Sequence, residues 1–208
     1  MEPIVLTHPL VKHKLAVLRD KNLGTKEFRE IAAELATMLC YEATKDAPLY
    51  ETEIETPIAK MKAEKLDEDI YAFLPILRAG MSMVEGILNI IPNAKVGHIG
   101  LFRNEETLEP TQYYFKVPSG IENRTVIILD PMIATGGSAI DAIDSLKKIG
   151  VKKIKFLALI AAPEGLKKIC DAHPDVQIYC TSIDSHLNEN GYIVPGLGDA
   201  GDRIYGTK

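Results

Sequence analysis

A short run of small, hydrogen-bonding residues separates an apolar stretch from a helical pattern in VIILDPMIATGGSAIDAI, residues 126–143. Asp130 ends the apolar stretch, and TGGS (135–138) precedes the helical pattern. Glycines let backbone N–H groups curl around an anion, hydroxyl groups add donors, and the N-terminal end of a helix favours negative charge. The segment therefore predicts a phosphate site. The alternative is a tight turn that needs a positive φ together with a Ser138 N-cap.

Two familiar phosphate motifs do not fit this segment. A Walker A loop needs a lysine after its glycines, but Ser138 and Ala139 follow Gly137. A dinucleotide fingerprint needs three spaced glycines in the first βα unit, whereas this loop has one Gly-Gly pair and comes late in the chain. A carboxylate beside a phosphate site indicates a ligand with hydroxyl groups or a metal, and ribose phosphate meets that description. The alternative for Asp130 is an Asx turn before Pro131.

The elements that would position these residues alternate along the chain, which favours an α/β fold with a largely parallel sheet. The spacing of apolar residues predicts helices at 8–20, 25–45, 81–91, 137–149 and 163–172. Thr25 is the expected N-cap of the second helix, and Gly150 the residue that ends the fourth. Apolar runs predict strands at 70–77, 95–102, 125–130, 153–162 and 176–183, with an edge or antiparallel strand at 50–58.

Ligands of open α/β sheets bind beyond the carboxyl ends of the strands. The segments that follow the predicted strands are therefore the ones to inspect, namely 78–80, 103–104, 130–138 and 162–164. The glycine-rich segment 186–208 is a further candidate, because it keeps apolar residues such as Tyr192, Ile193 and Leu197. An ordered loop that wraps a site explains this composition better than a disordered tail.

Composition and charge exclude several classes of protein. The chain has 208 residues, enough for one compact domain with a substantial core, and its net charge is −5, so no global positive field attracts nucleic acid or an anionic membrane. The longest apolar run, about 156–162, is far shorter than the roughly 20 residues of a membrane span. The three scattered cysteines indicate free thiols and a reducing cytoplasm. CDAH (170–173) lacks a second pair of metal ligands.

Three separated segments, taken together, resemble a known family. VIILDPMIATGGSA is similar to the phosphoribosyl-pyrophosphate (PRPP) signature of the type I phosphoribosyltransferases. LPILRAG (74–80) and YIVPGLGDAGDR (192–203) resemble the uracil-specific members in particular. The resemblance covers essentially the whole chain. It implies one phosphoribosyltransferase domain over 1–208, with a central parallel sheet, a flap hairpin at about 103–118 and a base-selecting loop at 186–208.

The resemblance also implies a role for each matching residue. Uracil and PRPP would give UMP and diphosphate in pyrimidine salvage, with Arg78, Arg103, Asp130 and Asp199 as the catalytic groups. The residues that would bind PRPP are Arg78, Arg103, Asp130, Pro131, Met132, Ile133, Ala134, Thr135, Gly136, Gly137, Ser138 and Asp199. The residues that would bind uracil are Tyr192, Ile193, Gly198, Asp199 and Ala200. Relatives further suggest a homodimer or higher homo-oligomer, and GTP as a candidate effector.

This sequence departs from the general family pattern at two acidic positions. Many type I enzymes carry two adjacent acids and a third before the Thr-Gly pair, where this chain has Pro131 and Ala134. Purine enzymes use the third acid near the purine ring, so Ala134 argues against a purine substrate. We therefore expect Mg²⁺ as cofactor without a direct protein ligand, bound through diphosphate and water near Asp199.

Two other functions remain open at this point. A regulator on the same fold that binds RNA would need a basic face, yet the chain has 29 acidic against 24 basic residues. A cluster of lysines occurs at KKIGVKKIK (147–155). Solvated lysines that flank the end of a helix explain this cluster equally well. The same transfer to a base other than uracil is the second alternative.

Overall fold

A mainly parallel β-sheet with helices on both faces is the central feature of the protein, whose computed structural model describes residues 1–103 and 110–207. The helices are α1 (Pro9–Arg19), α2 (Thr25–Ala43), α3 (Met81–Leu88), α4 (Gly137–Lys148), α5 (Pro163–Ala172) and α6 (Ala200–Tyr205). The strands are β1 (Ile4–Val5), β2 (Leu49–Glu55), β3 (Lys60–Leu66), β4 (Tyr71–Leu77), β5 (Lys95–Val96), β6 (His98–Arg103), β7 (Pro110–Lys116), β8 (Thr125–Leu129), β9 (Met132–Ile133), β10 (Lys153–Ala161), β11 (Gln177–Ile183), β12 (His186–Leu187) and β13 (Ile193–Val194). The predicted α/β class is confirmed.

The order of the strands places the ends of five of them along one edge. The sheet runs β1-β11-β10-β8-β4-β6-β7, and every neighbouring pair is parallel except β6 and β7. Two short strands extend it, because β5 pairs with β4 and β9 pairs with β10. Parallel strands point the same way, so the loops after β4, β6, β8, β10 and β11 leave from a common side. We call this side the carboxyl edge.

Both faces of the central strands are buried, which explains the nearly continuous apolar runs of these strands. Along β8, Val126 and Ile128 belong to a core that they share with α4 and α5. Ile127 and Leu129 alternate with them and belong to a second core, shared with α1, α2, α3 and α6. All four side chains are fully buried. The helices must therefore cover both faces, and polar ligand groups can collect only at the edges.

The predicted elements of the β–α series are confirmed, with ends shifted by at most three residues, except that the strand predicted at 95–102 is divided into β5 and β6. Gly150 follows α4 with φ +91°, as a residue that ends a helix often does. The predicted N-cap of α2 was wrong. Gly24 occupies that position, because its carbonyl accepts the hydrogen bond of the Phe28 N–H at 2.9 Å, and Thr25 is the first helical residue.

The C-terminal segment is more regular than the predicted loop. β12 and β13 form a short antiparallel pair, and α6 follows, with Ala200 and Ile204 buried in the core on the α1–α3 side. Within the described ranges no helix is long and apolar enough to span a bilayer.

An antiparallel hairpin of β2 and β3 stands apart from the sheet. The predicted strand at 50–58 is its first half, and the sequence analysis missed β3. Most of its residues are exposed, and Ile58 in the turn is 93% exposed.

Helix α3 packs against α2 at a point where only glycine fits. A Cβ atom added at Gly86 would lie 1.9 Å from the carbonyl oxygen of Ala33 on α2. The Thr37 hydroxyl joins the two helices here, since it donates to the Gly86 carbonyl at 2.7 Å and contacts the Ala33 carbonyl at 3.0 Å. Only three residues separate the end of β4 from the start of α3. The contact with α2 therefore holds α3 close to the carboxyl edge.

We predict that Gly86→Ala lowers the free energy of unfolding by about 1–3 kcal/mol, because the added methyl group must push two packed backbones apart. Glu85→Ala is the matched control, since Glu85 is the exposed neighbour on the same helix and its loss should change stability by less than about 0.5 kcal/mol. Urea unfolding of the two variants measures the difference. Equal stabilities would show that α2 and α3 separate without cost.

Candidate active site

The residues that follow β4 and β8 lie side by side at the carboxyl edge. In the parallel pairing of these strands Pro75 is opposite Leu129, so the turn after Leu77 and the loop after Leu129 leave the sheet next to each other. A Cβ atom at Gly80 would lie 2.4 Å from the Leu129 carbonyl oxygen. The predicted segments 78–80 and 130–138 therefore meet directly in the fold.

Asp130 is a partly buried carboxylic acid in the centre of this edge. Its N–H donates to the Leu157 carbonyl at 3.2 Å, and its Oδ1 accepts a hydrogen bond from the Met132 N–H at 3.3 Å. The second bond is an Asx turn, so that alternative for Asp130 is confirmed as its local geometry. Burial raises the pKa of this carboxyl to about 7, and the single backbone hydrogen bond from Met132 only partly opposes it.

The next four residues, 131–134, act mainly through their backbone. The Pro131 carbonyl accepts from the N–H groups of Leu159 and Ile160, at 2.9 and 3.1 Å, and the Ile133 carbonyl accepts from Ala162 at 2.8 Å. The short strand β9 thus ties the loop to the end of β10. Pro131 and Ile133 are buried, so their side chains contribute to packing.

The TGGS turn (135–138) then opens α4 in a tight approach to α5. Gly136 is the N-cap, with φ +79°, and a Cβ there would lie 2.8 Å from the Gly165 carbonyl oxygen. A Cβ at Gly165 would lie 2.2 Å from the Ala134 carbonyl oxygen. The predicted positive φ is therefore present, whereas the predicted Ser138 N-cap was wrong, because Ser138 lies inside the helix. The first N–H groups of α4 have no carbonyl one turn earlier within the helix, which suits an anion.

Two arginines lie at the ends of neighbouring strands. The side chain of Arg78 belongs to the described part of the chain, and that of Arg103 does not. Arg78 follows β4 through a cis peptide bond and is exposed, with its guanidinium 5.5 Å from the centre of the Tyr205 ring. The Tyr205 hydroxyl donates to the Arg78 carbonyl at 2.9 Å, which links this turn to the C-terminal segment. Arg103 ends β6, opposite Pro110 of β7, but its side chain lies outside the described part of the chain. The same holds for residues 104–109 of the predicted flap.

The residues predicted to bind the base occupy contrasting positions. Tyr192 is exposed, Ile193 is buried in the core, and Gly198 is exposed with φ +82°. Asp199 is the N-cap of α6, because its Oδ1 accepts from the Asp202 N–H at 2.9 Å, and Ala200 is buried behind it. The side chains of Ile193 and Ala200 therefore pack inward, so only their backbone groups could contact a ligand.

Tyr192 and Asp199 also line a common cavity of about 410 Å³. A larger groove, of about 710 Å³, lies where β1 meets α1 and α2. Its lining includes Leu10, Met38 and Tyr41. Since its walls are largely apolar and no site residue lines it, the polar residues at the carboxyl edge identify the site better than cavity size does.

Sequence analysis missed three residues that hold the C-terminal segment in place. Asp184 directly follows β11 and could have been found by the rule that singled out the other strand ends. Arg19 donates to both carboxylate oxygens of Asp184, at 2.7 and 2.5 Å, and Arg203 donates to the Leu197 carbonyl at 2.9 Å. No local pattern marks Arg19, whose partner lies 165 positions away, and the contact of Arg203 with Leu197, six positions earlier, has no sequence signal either.

The described residues contain no cluster of three or more His, Cys, Asp or Glu side chains able to hold a metal ion. Asp130 and Asp199 are the predicted acidic groups, and each already accepts a backbone hydrogen bond. Cys170 and His173, considered for a metal from the sequence, belong to no such cluster. The donor set therefore suits a cation that arrives with most of its own ligands.

Comparison with known proteins places this arrangement in a family. The family model for uracil phosphoribosyltransferase matches residues 5–207. A curated Geobacillus kaustophilus relative named uracil phosphoribosyltransferase is 60% identical over 204 residues, which are 98% of both chains. A relative of the same name from Ligilactobacillus salivarius is 59% identical over 98% of both chains.

Solved structures agree with the sequence relatives. An Aquifex aeolicus protein has a TM-score of 0.93 and 45% identity, covering 100% of this chain and 99% of its own. Adenine phosphoribosyltransferase from Trypanosoma brucei has a TM-score of 0.58 at 14% identity, covering 95% of this chain and 87% of its own, and so shares the fold alone. With a family match over nearly its full length, the chain belongs to the uracil phosphoribosyltransferase family.

Proposed function

We propose that the protein transfers the phosphoribosyl group of PRPP to uracil, giving UMP and diphosphate, as a pentosyltransferase of pyrimidine salvage. One observation carries the proposal: a chain 60% identical to a uracil phosphoribosyltransferase has Asp130, the TGGS turn (135–138) and a covering C-terminal segment at a single sheet edge. The free thiols of Cys40, Cys170 and Cys180 support a cytoplasmic location.

The residues from Asp130 to Ser138 form the proposed PRPP site. The N–H groups at the start of α4, with the Thr135 and Ser138 hydroxyls, would receive the 5′-phosphate. Asp130 would accept hydrogen bonds from the ribose hydroxyls. Among the described residues its carboxyl accepts one hydrogen bond, from a backbone N–H, so it has room for further donors. Pro131 to Ala134 hold these two parts at a fixed distance through their bonds to β10.

Two cations would stabilise the departing diphosphate. Arg78 follows β4 beside Asp130, and Arg103 ends the next strand in the sheet. Positive groups that are already in place where negative charge develops lower the barrier to bond breaking. The hairpin of β6 and β7 would supply the flap that covers the bound substrates.

The base would be read by backbone groups of the C-terminal segment. The edge of uracil presents carbonyl groups and an N–H, which amides and carbonyls near Ile193, Gly198 and Ala200 can match. Gly198 has a positive φ and no side chain, so a flat base can approach its backbone closely. Tyr192 and Asp199 line the neighbouring cavity and would complete the site.

Magnesium fits this site as a partner of the substrate. Mg²⁺ keeps several waters and is commonly held by one or two carboxylates and the substrate's phosphates. Asp199 is exposed near the proposed base site, so we assign it to the neighbourhood of the ion, without a direct bond. When bound, the ion would neutralise charge on the diphosphate.

In the proposed reaction the uracil N1 forms a bond to C1 of the ribose, the bond from C1 to diphosphate breaks, and the N1 proton is lost. The chain contributes alignment of the two substrates and charge stabilisation by Arg78 and Arg103. Ala134 stands where purine enzymes have an acid beside the ring, which favours a pyrimidine.

The direct test is an assay of nucleotide formation from PRPP and Mg²⁺, with uracil, cytosine, hypoxanthine and orotate as separate acceptors. We expect turnover with uracil alone, because the base would be selected by fixed backbone groups. Turnover with none of the four bases would contradict the proposed function. Addition of GTP to the same assay tests its proposed role as an effector.

We predict that Asp130→Asn stabilises the protein while weakening PRPP binding. The raised pKa means that the folded state binds a proton between about pH 4 and 7 that the unfolded state has released. The free energy of unfolding therefore falls as pH rises through this window, by at most about 4 kcal/mol for three pKa units. Asparagine removes this dependence, so the variant should be the more stable protein at pH 8 but not at pH 4.

Loss of an ionised acceptor should also weaken PRPP binding at pH 8 by roughly ten- to a hundredfold. Urea unfolding at both pH values and calorimetric titration measure the two effects. Asp171→Asn is the control, because Asp171 forms an exposed ion pair with Lys167 on α5 and should affect neither quantity. Parallel stability profiles of wild type and Asp130→Asn, or unchanged PRPP affinity, would contradict the assignment.

We also propose that the protein forms a homodimer or higher homo-oligomer through the exposed hairpin of β2 and β3. Ile58 is 93% exposed, and Leu49, Tyr50 and Met61 on the same hairpin are about half exposed, which is costly for a monomer. The groove of about 710 Å³ between β1, α1 and α2 offers a second apolar surface, with Tyr41 76% exposed.

We predict that Ile58→Asp shifts the molecular mass in solution toward that of the monomer, because a charge would have to be buried in the interface. Ile149→Asp is the matched control, since Ile149 is an exposed isoleucine at the end of α4, away from the hairpin. Light scattering coupled to gel filtration distinguishes the species. An unchanged molecular mass of the Ile58→Asp variant would contradict the assignment of the interface to this hairpin.

A further inference from the structure

The backbone between the two halves of the proposed uracil site is bound by two arginines. Ile193 precedes the loop Pro195–Gly198, and Asp199 and Ala200 follow it. Arg19 donates from Nη1 to the Gly196 carbonyl at 2.6 Å, and Arg203 donates from Nη1 to the Leu197 carbonyl at 2.9 Å. Two consecutive carbonyl groups are thus held by two different guanidinium groups.

The first arginine belongs to a buried ionic network. Arg19 makes a bidentate pair with Asp184, whose side chain is 2% exposed. The same carboxylate accepts from the Ser182 hydroxyl at 2.7 Å and from the Gly196 N–H at 2.9 Å. Burial alone would raise the pKa of Asp184, but the hydrogen bonds from Arg19, Ser182 and Gly196 outweigh it and keep that pKa below its usual value. Both polar backbone atoms of Gly196 are therefore fixed by one ion pair.

The second arginine joins the loop to the end of α1. Arg203 donates to the carbonyl groups of Leu18 and Asp20, at 2.8 and 2.5 Å, and its guanidinium lies 4.5 Å from the centre of the Phe28 ring. Carbonyl groups at the C-terminal end of a helix lack partners within the helix and attract positive charge. Arg203 satisfies them and contacts Leu197 with the same guanidinium. The last turn of α1 is thus the support on which the loop rests.

The loop has little freedom to adjust if a support is lost. Gly196 has φ +65°, and a Cβ there would lie 2.1 Å from the Ile193 carbonyl oxygen, so the chain turns back tightly on itself. Gly198 also has a positive φ. Glycines permit many backbone conformations, and therefore the chosen one depends on the contacts that hold it.

We propose that Arg19 and Arg203 are positioning residues for base selection, which fix the direction of the backbone groups of Ile193 and Gly198–Ala200 through the loop Pro195–Gly198. The inference rests on the proposed function, because it takes these backbone groups as the ones that read uracil. Arg203 also lines the cavity shared by Tyr192 and Asp199, but in this proposal neither arginine binds the base. Their effect on catalysis passes through the loop, and the PRPP site around Asp130 is held by separate bonds to β10.

The test uses Arg19→Lys and Arg203→Lys, which keep the charge but lose the forked geometry. We expect the KM for uracil to rise roughly ten- to a hundredfold in each, with the KM for PRPP within about twofold of wild type. Discrimination between uracil and cytosine should fall as well. Arg29→Lys is the matched control, since Arg29 donates to the Ile204 carbonyl on α6, beyond the loop, and should change neither constant.

Hydrogen exchange supplies a readout that does not depend on turnover. The amides of residues 196–200 should exchange faster in both variants than in wild type, and no faster in Arg29→Lys. If Arg19→Lys fails to fold, Arg203→Lys still tests the proposal, because it leaves the Arg19–Asp184 pair intact. A KM for PRPP that rises in parallel with that for uracil, or unchanged exchange at 196–200, would overturn the proposal. If the wild-type protein were inactive with every base, the proposed function would be overturned instead. Hydrogen exchange would still show whether the two arginines hold the loop.

Discussion

The parallel pairing of β8 with β4 on one side and β10 on the other is the constraint on which the rest of the structure depends. Leu129 lies opposite Pro75 in one pair and Leu157 in the other, so β8 ends between β4, which continues to Leu77, and β10, which continues to Ala161. Both faces of these strands are covered by helices, which leaves the edge as the place where polar groups can gather. The positions of Asp130, the TGGS turn and Arg78 all follow from where these strands end.

The groups at this edge are placed at a cost to the folded state. Asp130 is held where its charge is poorly solvated, and Gly136 and Gly165 let two helices approach more closely than any side chain would permit. A purely structural protein would gain stability from a neutral residue and a looser turn. The cost is understandable if a bound substrate supplies the missing partners, because its phosphate would accept from the N–H groups and its hydroxyl groups would donate to the carboxylate.

The sequence was informative wherever burial follows a regular period. Runs such as VIILD and KIKFLALIAA predicted β8 and β10 because buried strands on a parallel sheet need apolar residues on both faces. β3 was missed because KMKAEKL buries neither face fully, and its pairing with β2 alone makes it a strand. α6 was missed because it has only six residues, one of them Gly201, and depends on the Asp199 cap and the packing of Ile204.

The candidate site, too, could be predicted from the sequence only in part. The phosphate-type turn could be predicted because its glycines, hydroxyls and helix start are adjacent in the sequence. The network of Arg19, Asp184 and Gly196 could not, since the carbonyl bound by Arg19 lies 177 positions further along the chain. Surface arginines are common, and only the fold shows which of them have buried partners. Family resemblance singled out the segment that we propose to read the base but gave no account of what holds it.

The contact between Arg203 and the end of α1 has a consequence for how the protein is made. The carbonyl of Leu18 lies 185 positions before Arg203, so a ribosome has synthesised nearly all the strands of the sheet before this contact can form. A nascent chain could thus acquire its TGGS turn well before the loop Pro195–Gly198 is fixed. Only the joining of segments from the two ends of the chain would complete this part of the fold.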